Sequence, residues 1–180
     1  LMDVTTAYAR LALYAKTVEP VAVSKVMDRS GRVVEEHPSV RHEPLFPKSP
    51  QAEQAAWLIK DILTDPQARL ISFGESNPLD FGKAVAIKTG TTKDFRDNWA
   101  FGYTPSLVMG VWVGNADNTP MQGVSGVTGA VPILRDVMTA QLRFQKEIDW
   151  PMPMGLIKKR LCAPSGKLAT PLCPRTRDDW

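Results

Sequence analysis

The chain has 180 residues, enough for one domain with a hydrophobic core, with or without a short appendage. Apolar residues make up 43% and charged residues 23%, as in an ordinary globular protein. The net charge is only +3 and the basic residues are not interleaved with aromatic ones, which argues against nucleic-acid binding. No stretch has the length of a membrane span, and the first residues lack signal-peptide features. Because they already lie inside a helical pattern, we expect a piece of a longer protein.

The spacing of apolar residues predicts helices and one hairpin in the first half of the chain. Arg29-Ser30-Gly31 is a typical hairpin turn, Ser49-Pro50 is a typical helix start, and Asp65-Pro66 ends one helix and caps another. In chain order, the predicted elements are a helix over 3–15, strands over 21–28 and 32–36, a proline-rich loop over 37–50, a helix over 49–63 and a short helix over 66–70.

The pattern changes to short apolar runs in the second half. Three strands, over 84–90, 99–103 and 107–113, are predicted to form an antiparallel meander that is covered on at least one face. A flexible glycine-rich loop over 123–129 then leads to a helix over 130–144, and the proline-rich remainder is predicted to be irregular. This order of elements predicts an α+β fold, in which helices pack on an antiparallel sheet.

The run Lys88-Thr89-Gly90-Thr91-Thr92, at the end of a predicted strand, has the composition of an anion site. The ammonium supplies charge, the hydroxyls donate hydrogen bonds to a carboxylate, and the glycine lets a substrate backbone approach closely. The open edge of such a strand could also pair with an extended peptide. The alternative is a turn with incidental polar residues, which a three-residue match alone would favour.

The flanking residues extend the match over nearly the whole chain. The stretches are Ala86 to Thr92, Arg96 to Pro105, Gly110 to Asn115, Ser125 to Ile133, the helical segments 7–12 and 57–63, and the tail from Cys162 to Pro174. Together they closely resemble the transpeptidase domain of class A, bifunctional penicillin-binding proteins, above all the 1C type. K-T-G is one of three motifs that this family shares with class A β-lactamases.

The resemblance implies a partial β-lactamase/penicillin-binding transpeptidase-like fold over residues 1–145. Residues 146–180 would be a proline-rich linker with a cysteine pair, leading to a further C-terminal domain. Such a protein acts at the extracytoplasmic, periplasmic face of the bacterial cytoplasmic membrane, held there by a segment outside this chain. It takes no cofactor and no metal, and it acts on peptidoglycan stem peptides and binds β-lactams.

The same resemblance assigns roles to the strand end. Lys88 would sit beside the active-site serines and take part in proton transfer. The hydroxyls of Thr89 and Thr91 would hold the carboxylate of the peptide or of a β-lactam, with Gly90 between them. The backbone N–H of Thr91 would form half of an oxyanion hole.

The family's serine nucleophile has no counterpart here, because none of the nine serines is followed three residues later by lysine or two residues later by asparagine. We therefore expect the chain alone to be inactive and to need the N-terminal portion of its protein, which the resemblance suggests is also a peptidoglycan glycosyltransferase. A non-catalytic peptide- or β-lactam-binding module and a β-lactamase-type serine hydrolase are the alternatives. Exposed core surface would make an oligomer of this piece expected.

Cys162 and Cys173 lie close together in a stretch with little core of its own, which suits a disulfide in an oxidising compartment. Two free thiols are the alternative, and a metal site would need further ligands, while His37 and His42 are distant in sequence. For the tryptophans Trp99 and Trp112, packing is favoured over ligand binding. The charged residues after the strand fit a solvated turn as well as the rim of a cleft; they are Asp94, Arg96 and Asp97. Ser125 departs from the G-x-S-x-G pattern of a nucleophile.

Overall fold

A computed structural model describes residues 1–37, 42–47, 49, 51–74, 78–145 and 150–180, with the backbone alone at 71 and 72. The helices are α1 (Met2–Ala12), α2 (Gln51–Thr64), α3 (Pro66–Phe73) and α4 (Ala130–Leu142), with a 3₁₀ turn at Lys93–Phe95. The strands are β1 (Lys25–Met27), β2 (Val33–Glu36), β3 (Ala86–Thr91), β4 (Asp97–Tyr103), β5 (Val108–Gly114), β6 (Lys159–Cys162) and β7 (Thr176–Asp179). No helix in these described ranges is both long and apolar enough to cross a bilayer.

The central feature is an antiparallel sheet in the order β3-β4-β5. Its register places Lys88 opposite Phe101, and Trp99 opposite Trp112. The predicted meander is therefore confirmed, and β4 and β5 each begin or end within two residues of the prediction. Because β4 is the middle strand, β3 and β5 are the outer strands, and the K-T-G-T segment lies on an edge.

Helices cover both faces of this sheet, since successive side chains of a strand point to opposite sides. Helix α4 packs on one face, where it forms an apolar cluster with Ile87 and Ala100. On the other face α1 and α2 pack around a second cluster that includes Ala86 and Tyr103. The predicted α+β architecture is confirmed. Ala86 and Ile87 are apolar and point to opposite faces of β3, so helices must cover the sheet on both faces.

Several predicted boundaries differ from the observed ones. Helix α1 ends at Ala12 rather than at residue 15, because Tyr14 and Ala15 adopt φ values of 56° and 59° that turn the chain out of the helix. The strand predicted over 21–28 shrinks to Lys25–Met27, since it pairs only with the four residues of β2 and all of its residues are exposed. The Asp65-Pro66 prediction is confirmed, because the Asp65 side chain accepts a hydrogen bond from the Gln67 N–H at 2.8 Å.

The predicted loop over 37–50 and the predicted helix start at Ser49-Pro50 lie partly outside the described residues, which exclude 38–41, 48 and 50. Within the described part, α2 begins at Gln51, close to the predicted start. Helix α4 begins at the predicted residue and ends at Leu142, two residues early.

The prediction of an irregular tail is wrong, because β6 and β7 pair as an antiparallel hairpin. A disulfide between Cys162 and Cys173 closes the connection between the two strands. The tail also contacts the rest of the molecule: Trp180 packs edge-to-face on Trp57 of α2, with ring centroids 5.1 Å apart. The indole N–H of Trp150 donates to the Ala12 carbonyl at 3.2 Å.

Candidate functional site

The predicted site residues lie together at the open edge of β3. Lys88 and Thr91 are exposed, while Thr89 and Gly90 are partly buried. The Lys88 ammonium donates a hydrogen bond to the Thr89 carbonyl. No strand pairs with the outer side of β3 in the described part of the chain, so its edge is available for main-chain hydrogen bonds to an extended peptide.

Strand alternation divides these four residues between the two faces of the sheet. Lys88 lies on the α1 side, and so does Gly90, because a Cβ atom on Gly90 would lie 3.6 Å from the Trp99 Cβ. The Thr91 hydroxyl lies on the opposite side, where it accepts a hydrogen bond from the Gly126 N–H at 2.9 Å. A ligand at the edge of β3 would therefore meet the ammonium from one side and the Thr91 hydroxyl from the other.

A cavity of about 460 Å³ opens beside Lys88. Apart from the ammonium its walls are mainly apolar; they are formed by Ala7, Tyr8, Leu11, Ile59, Leu63 and Lys88. Burial raises the pKa of the Tyr8 phenol above its ordinary value, so this group is neutral at pH 7 and does not act as a base there. An apolar cavity with one cation at its rim suits an organic anion, because the walls exclude water from the charge.

Residues 123–129, predicted to be a flexible loop, pack against the end of β3 instead. A Cβ atom on Gly126 would lie 2.8 Å from the Gly90 carbonyl oxygen and 3.1 Å from that of Trp99, so glycine is required at this close approach. Within the loop, the Gly129 N–H donates to the Ser125 carbonyl at 2.8 Å. The sequence signal for this role is the spacing of three glycines, at 123, 126 and 129, in a segment that resembles the family.

Asn98 of β4 lies behind this loop and was not anticipated as a site residue. It is fully buried, and its Nδ2 donates to the Val124 carbonyl at 2.9 Å. Its Oδ1 has no hydrogen-bond partner in the described part of the chain. A buried asparagine near the start of β4 therefore ties the loop to the sheet.

The other candidates have structural contacts. The Trp112 indole N–H donates to Asp97 Oδ1 at 2.8 Å, and Trp99 packs between Phe101 and Trp112, as the packing interpretation predicts. Arg96 donates to the Asn118 carbonyl at 2.6 Å.

The remaining polar candidates are far from the β3 edge or occupied locally. Ser125 bonds within its own turn to Thr128. His42 is bound to the Thr17 carbonyl at 2.8 Å, and His37 lies 3.5 Å from Glu35. Across the described ranges, no three His, Cys, Asp or Glu side chains cluster as metal ligands would.

This fold, with the K-T-G-T segment on the edge strand, is that of part of a penicillin-binding protein, and the fold class predicted from the sequence is confirmed. Penicillin-binding protein PonA1 from Mycobacterium tuberculosis superposes with a TM-score of 0.68 and 26% identity, over 86% of this chain and 41% of that one. Penicillin-binding protein 1A from Haemophilus influenzae gives a TM-score of 0.74 over 98% of this chain and 31% of that one. At 18% identity, the second likeness shows the fold alone.

The relatives found by sequence are penicillin-binding proteins too. Penicillin-binding protein 1C of Escherichia coli is 32% identical over 126 residues, which are 69% of this chain and 16% of the relative. Penicillin-binding protein 1A of Aquifex aeolicus is 33% identical over 84% of this chain and 20% of its own length. Penicillin-binding protein 2D of Bacillus subtilis is 28% identical over 96% of this chain and 24% of the relative. The chain thus spans only 16–24% of these relatives, and no protein-family model matches it.

Proposed function

We propose that this chain is the C-terminal part of the transpeptidase domain of a penicillin-binding protein, and that the open end of β3 binds the carboxylate of a peptidoglycan stem peptide. The observation that carries the proposal is the position of Lys88 and Thr91 at one strand edge, on a fold shared with solved penicillin-binding proteins. Penicillin would bind to the same edge, because its carboxylate stands in for that of the peptide.

The reaction of the whole protein follows from these roles. A serine outside this chain would attack the carbonyl of a D-Ala-D-Ala terminus and pass its proton to a neighbouring base. That group would return a proton to the departing nitrogen as the peptide bond breaks, so that D-Ala leaves as the amine. An amine of a neighbouring peptidoglycan strand would then attack the carbonyl of the acyl-enzyme, which forms the new peptide bond and releases the serine. Here Lys88 would favour anionic species and take part in proton transfer. The Thr91 N–H would supply half of an oxyanion hole, in which preorganised donors stabilise the developing charge.

Further parts of the proposal rest on the resemblance. Residues 1–145 belong to the transpeptidase domain, and residues 146–180 connect it to a further C-terminal domain. The parent protein is of the 1C type, carries a glycosyltransferase domain and faces the periplasm. The disulfide between Cys162 and Cys173 is consistent with that compartment, because disulfides persist in oxidising surroundings.

Covalent labelling with a fluorescent penicillin, read on a denaturing gel, tests the function. This chain should stay unlabelled, and a longer chain that also encodes the residues upstream should be labelled. In the longer chain Lys88→Met should lower the labelling rate by about tenfold or more, since a positioned acid-base group contributes at least that much. Lys167→Met removes an exposed lysine of the tail and is the matched control, with the rate unchanged.

Three results would contradict the proposal. If the longer chain stays unlabelled yet binds the penicillin reversibly, the non-catalytic binding module is the correct interpretation. If Lys88→Met and Lys167→Met label at the same rate, the lysine at the end of β3 has no part in the reaction. Rapid hydrolysis of the label would instead identify a β-lactamase-type hydrolase.

A further inference from the structure

The contact between the 123–129 loop and Thr91 restricts the direction in which one hydroxyl group can point its hydrogen. A hydroxyl has one hydrogen to donate and two positions that accept. The Gly126 N–H occupies an accepting position of the Thr91 hydroxyl at 2.9 Å. Within the described residues no acceptor takes the hydrogen of Thr91, and its side chain is exposed at the edge of the sheet. This hydroxyl therefore points its hydrogen away from Gly126 and keeps it for a ligand.

The neighbouring Thr92 is bonded differently and has no hydrogen to spare. Its hydroxyl donates to Asp97 Oδ2 at 3.1 Å and accepts from the Asp97 N–H at 2.8 Å. Both of its bonds stay within the turn that connects β3 to β4. Of the two adjacent hydroxyls, only that of Thr91 is turned towards a ligand by the Gly126 N–H.

The position of Gly126 depends on contacts on both sides of the loop. On one side, its Cα lies so close to the carbonyls of Gly90 and Trp99 that no side chain fits. On the other side, buried Asn98 holds the Val124 carbonyl at 2.9 Å. Gly129 packs on Asn98, since a Cβ atom there would lie 3.5 Å from the Asn98 Cγ. The loop is thus held in place before any ligand arrives.

We propose that Gly126 is a positioning residue for carboxylate recognition: its N–H orients the Thr91 hydroxyl as a donor to the ligand, and Asn98 holds the loop that carries it. The inference rests on the proposed function, because it presumes that a carboxylate binds at the end of β3. It predicts that discrimination between a carboxylate and a neutral group depends on a loop that itself has no charged side chain.

The test compares two ligands that differ only at the carboxyl end, an N-acetylated D-Ala-D-Ala dipeptide and its C-terminal amide. The ratio of their dissociation constants measures carboxylate recognition, and a general loosening of the fold would weaken both ligands alike. The unsubstituted chain should prefer the acid by about tenfold or more, the value expected for hydrogen bonds to a charged group. Thr91→Val and Gly126→Ala should each remove most of that preference, and the double variant should lose no more than either alone. Thr91→Ser should retain it, as should the matched control Thr92→Val.

The outcomes separate this inference from the proposed function. An unsubstituted chain without acid preference contradicts carboxylate recognition itself. Acid preference that is lost in Thr91→Val but kept in Gly126→Ala leaves the function standing and overturns the role of Gly126.

A second measurement needs no substitution of the glycine. Hydrogen exchange of the Gly126 amide should be faster in Thr91→Val than in Thr92→Val, because only the first loses the acceptor of that N–H. Equal exchange rates in the two variants would overturn the inference even if Gly126→Ala does not fold.

Discussion

Substituting Gly90 by alanine should improve stability and weaken binding at the same time. Gly90 lies within β3, where glycine costs about 0.5–1 kcal/mol relative to alanine because it loses more conformational freedom on folding. The added Cβ atom would lie 3.6 Å from the Trp99 Cβ, which is an ordinary van der Waals contact, so the fold accommodates it. Nothing in the packing of the described residues requires a glycine at this position.

The expected magnitudes follow from these contacts. For a chain of this size, 0.5–1 kcal/mol raises the melting temperature by about 1–4 °C. Binding should weaken because the methyl group occupies the space through which a ligand backbone approaches the strand edge. Loss of two main-chain hydrogen bonds, at about 0.5–1.5 kcal/mol each, lowers affinity by about fivefold or more.

The assay pairs thermal unfolding with titration of the acetylated D-Ala-D-Ala dipeptide. Gly102→Ala is the matched control in the adjacent strand, because its Cβ atom would lie 2.8 Å from the Met138 sulfur and 3.3 Å from Leu134 Cδ2. Crowding of that kind costs about 1–3 kcal/mol and outweighs the roughly 0.5–1 kcal/mol that replacing a strand glycine contributes, so the control should melt at a lower temperature than the unsubstituted chain. The two variants should therefore shift the melting temperature in opposite directions.

Two results would refute this reasoning. A lower melting temperature for Gly90→Ala would show that the glycine is needed by the fold itself. Unchanged affinity would show that the ligand does not approach the Gly90 face of the strand edge.

Three further changes probe the fold around the site. Tyr103→Phe should stabilise the protein by about 1–2 kcal/mol, because the Tyr103 hydroxyl is buried without a hydrogen-bond partner in the described residues. Tyr14→Phe should destabilise it by about 1 kcal/mol, because the hydrogen bond to the Pro151 carbonyl is lost. Urea unfolding measures both free-energy changes, and changes of the same sign would contradict the account. Replacing Cys162 and Cys173 by serine should make the β6–β7 hairpin open about 2–3 kcal/mol more easily, with faster amide exchange there and unchanged exchange in β3 and β4. Unchanged exchange in the hairpin would show that the disulfide does not stabilise it.

The sequence predicted those parts of the fold that local chemistry determines. The three-strand meander followed from apolar runs, and the start of α3 followed from Asp65 and Pro66. The hairpin of β6 and β7 could not be predicted in the same way, because its residues are mostly polar, mostly exposed and show no alternation. It is held by contacts that form only in three dimensions, namely the pairing of β6 with β7 and the Cys162–Cys173 disulfide.

At the site, the K-T-G-T segment was found from sequence, but its supporting residues were not. Asn98 follows the polar Asp97 at the start of β4, and its role depends on Val124, 26 positions away. The glycines of the 123–129 loop suggested flexibility, since glycine is common in unconstrained loops. In the structure Gly126 serves a close approach to Gly90 and Trp99, and sequence spacing alone does not distinguish those two uses.

The central claim, that the end of β3 binds a carboxylate, is tested most directly by NMR titration of this chain with the acetylated D-Ala-D-Ala dipeptide. The account predicts that the largest amide shifts map to residues 88–91 and to Gly126, and that the C-terminal amide of the dipeptide produces much smaller shifts at the same concentration. Shifts that are equal for the two ligands, or that lie away from the edge of β3, would contradict it.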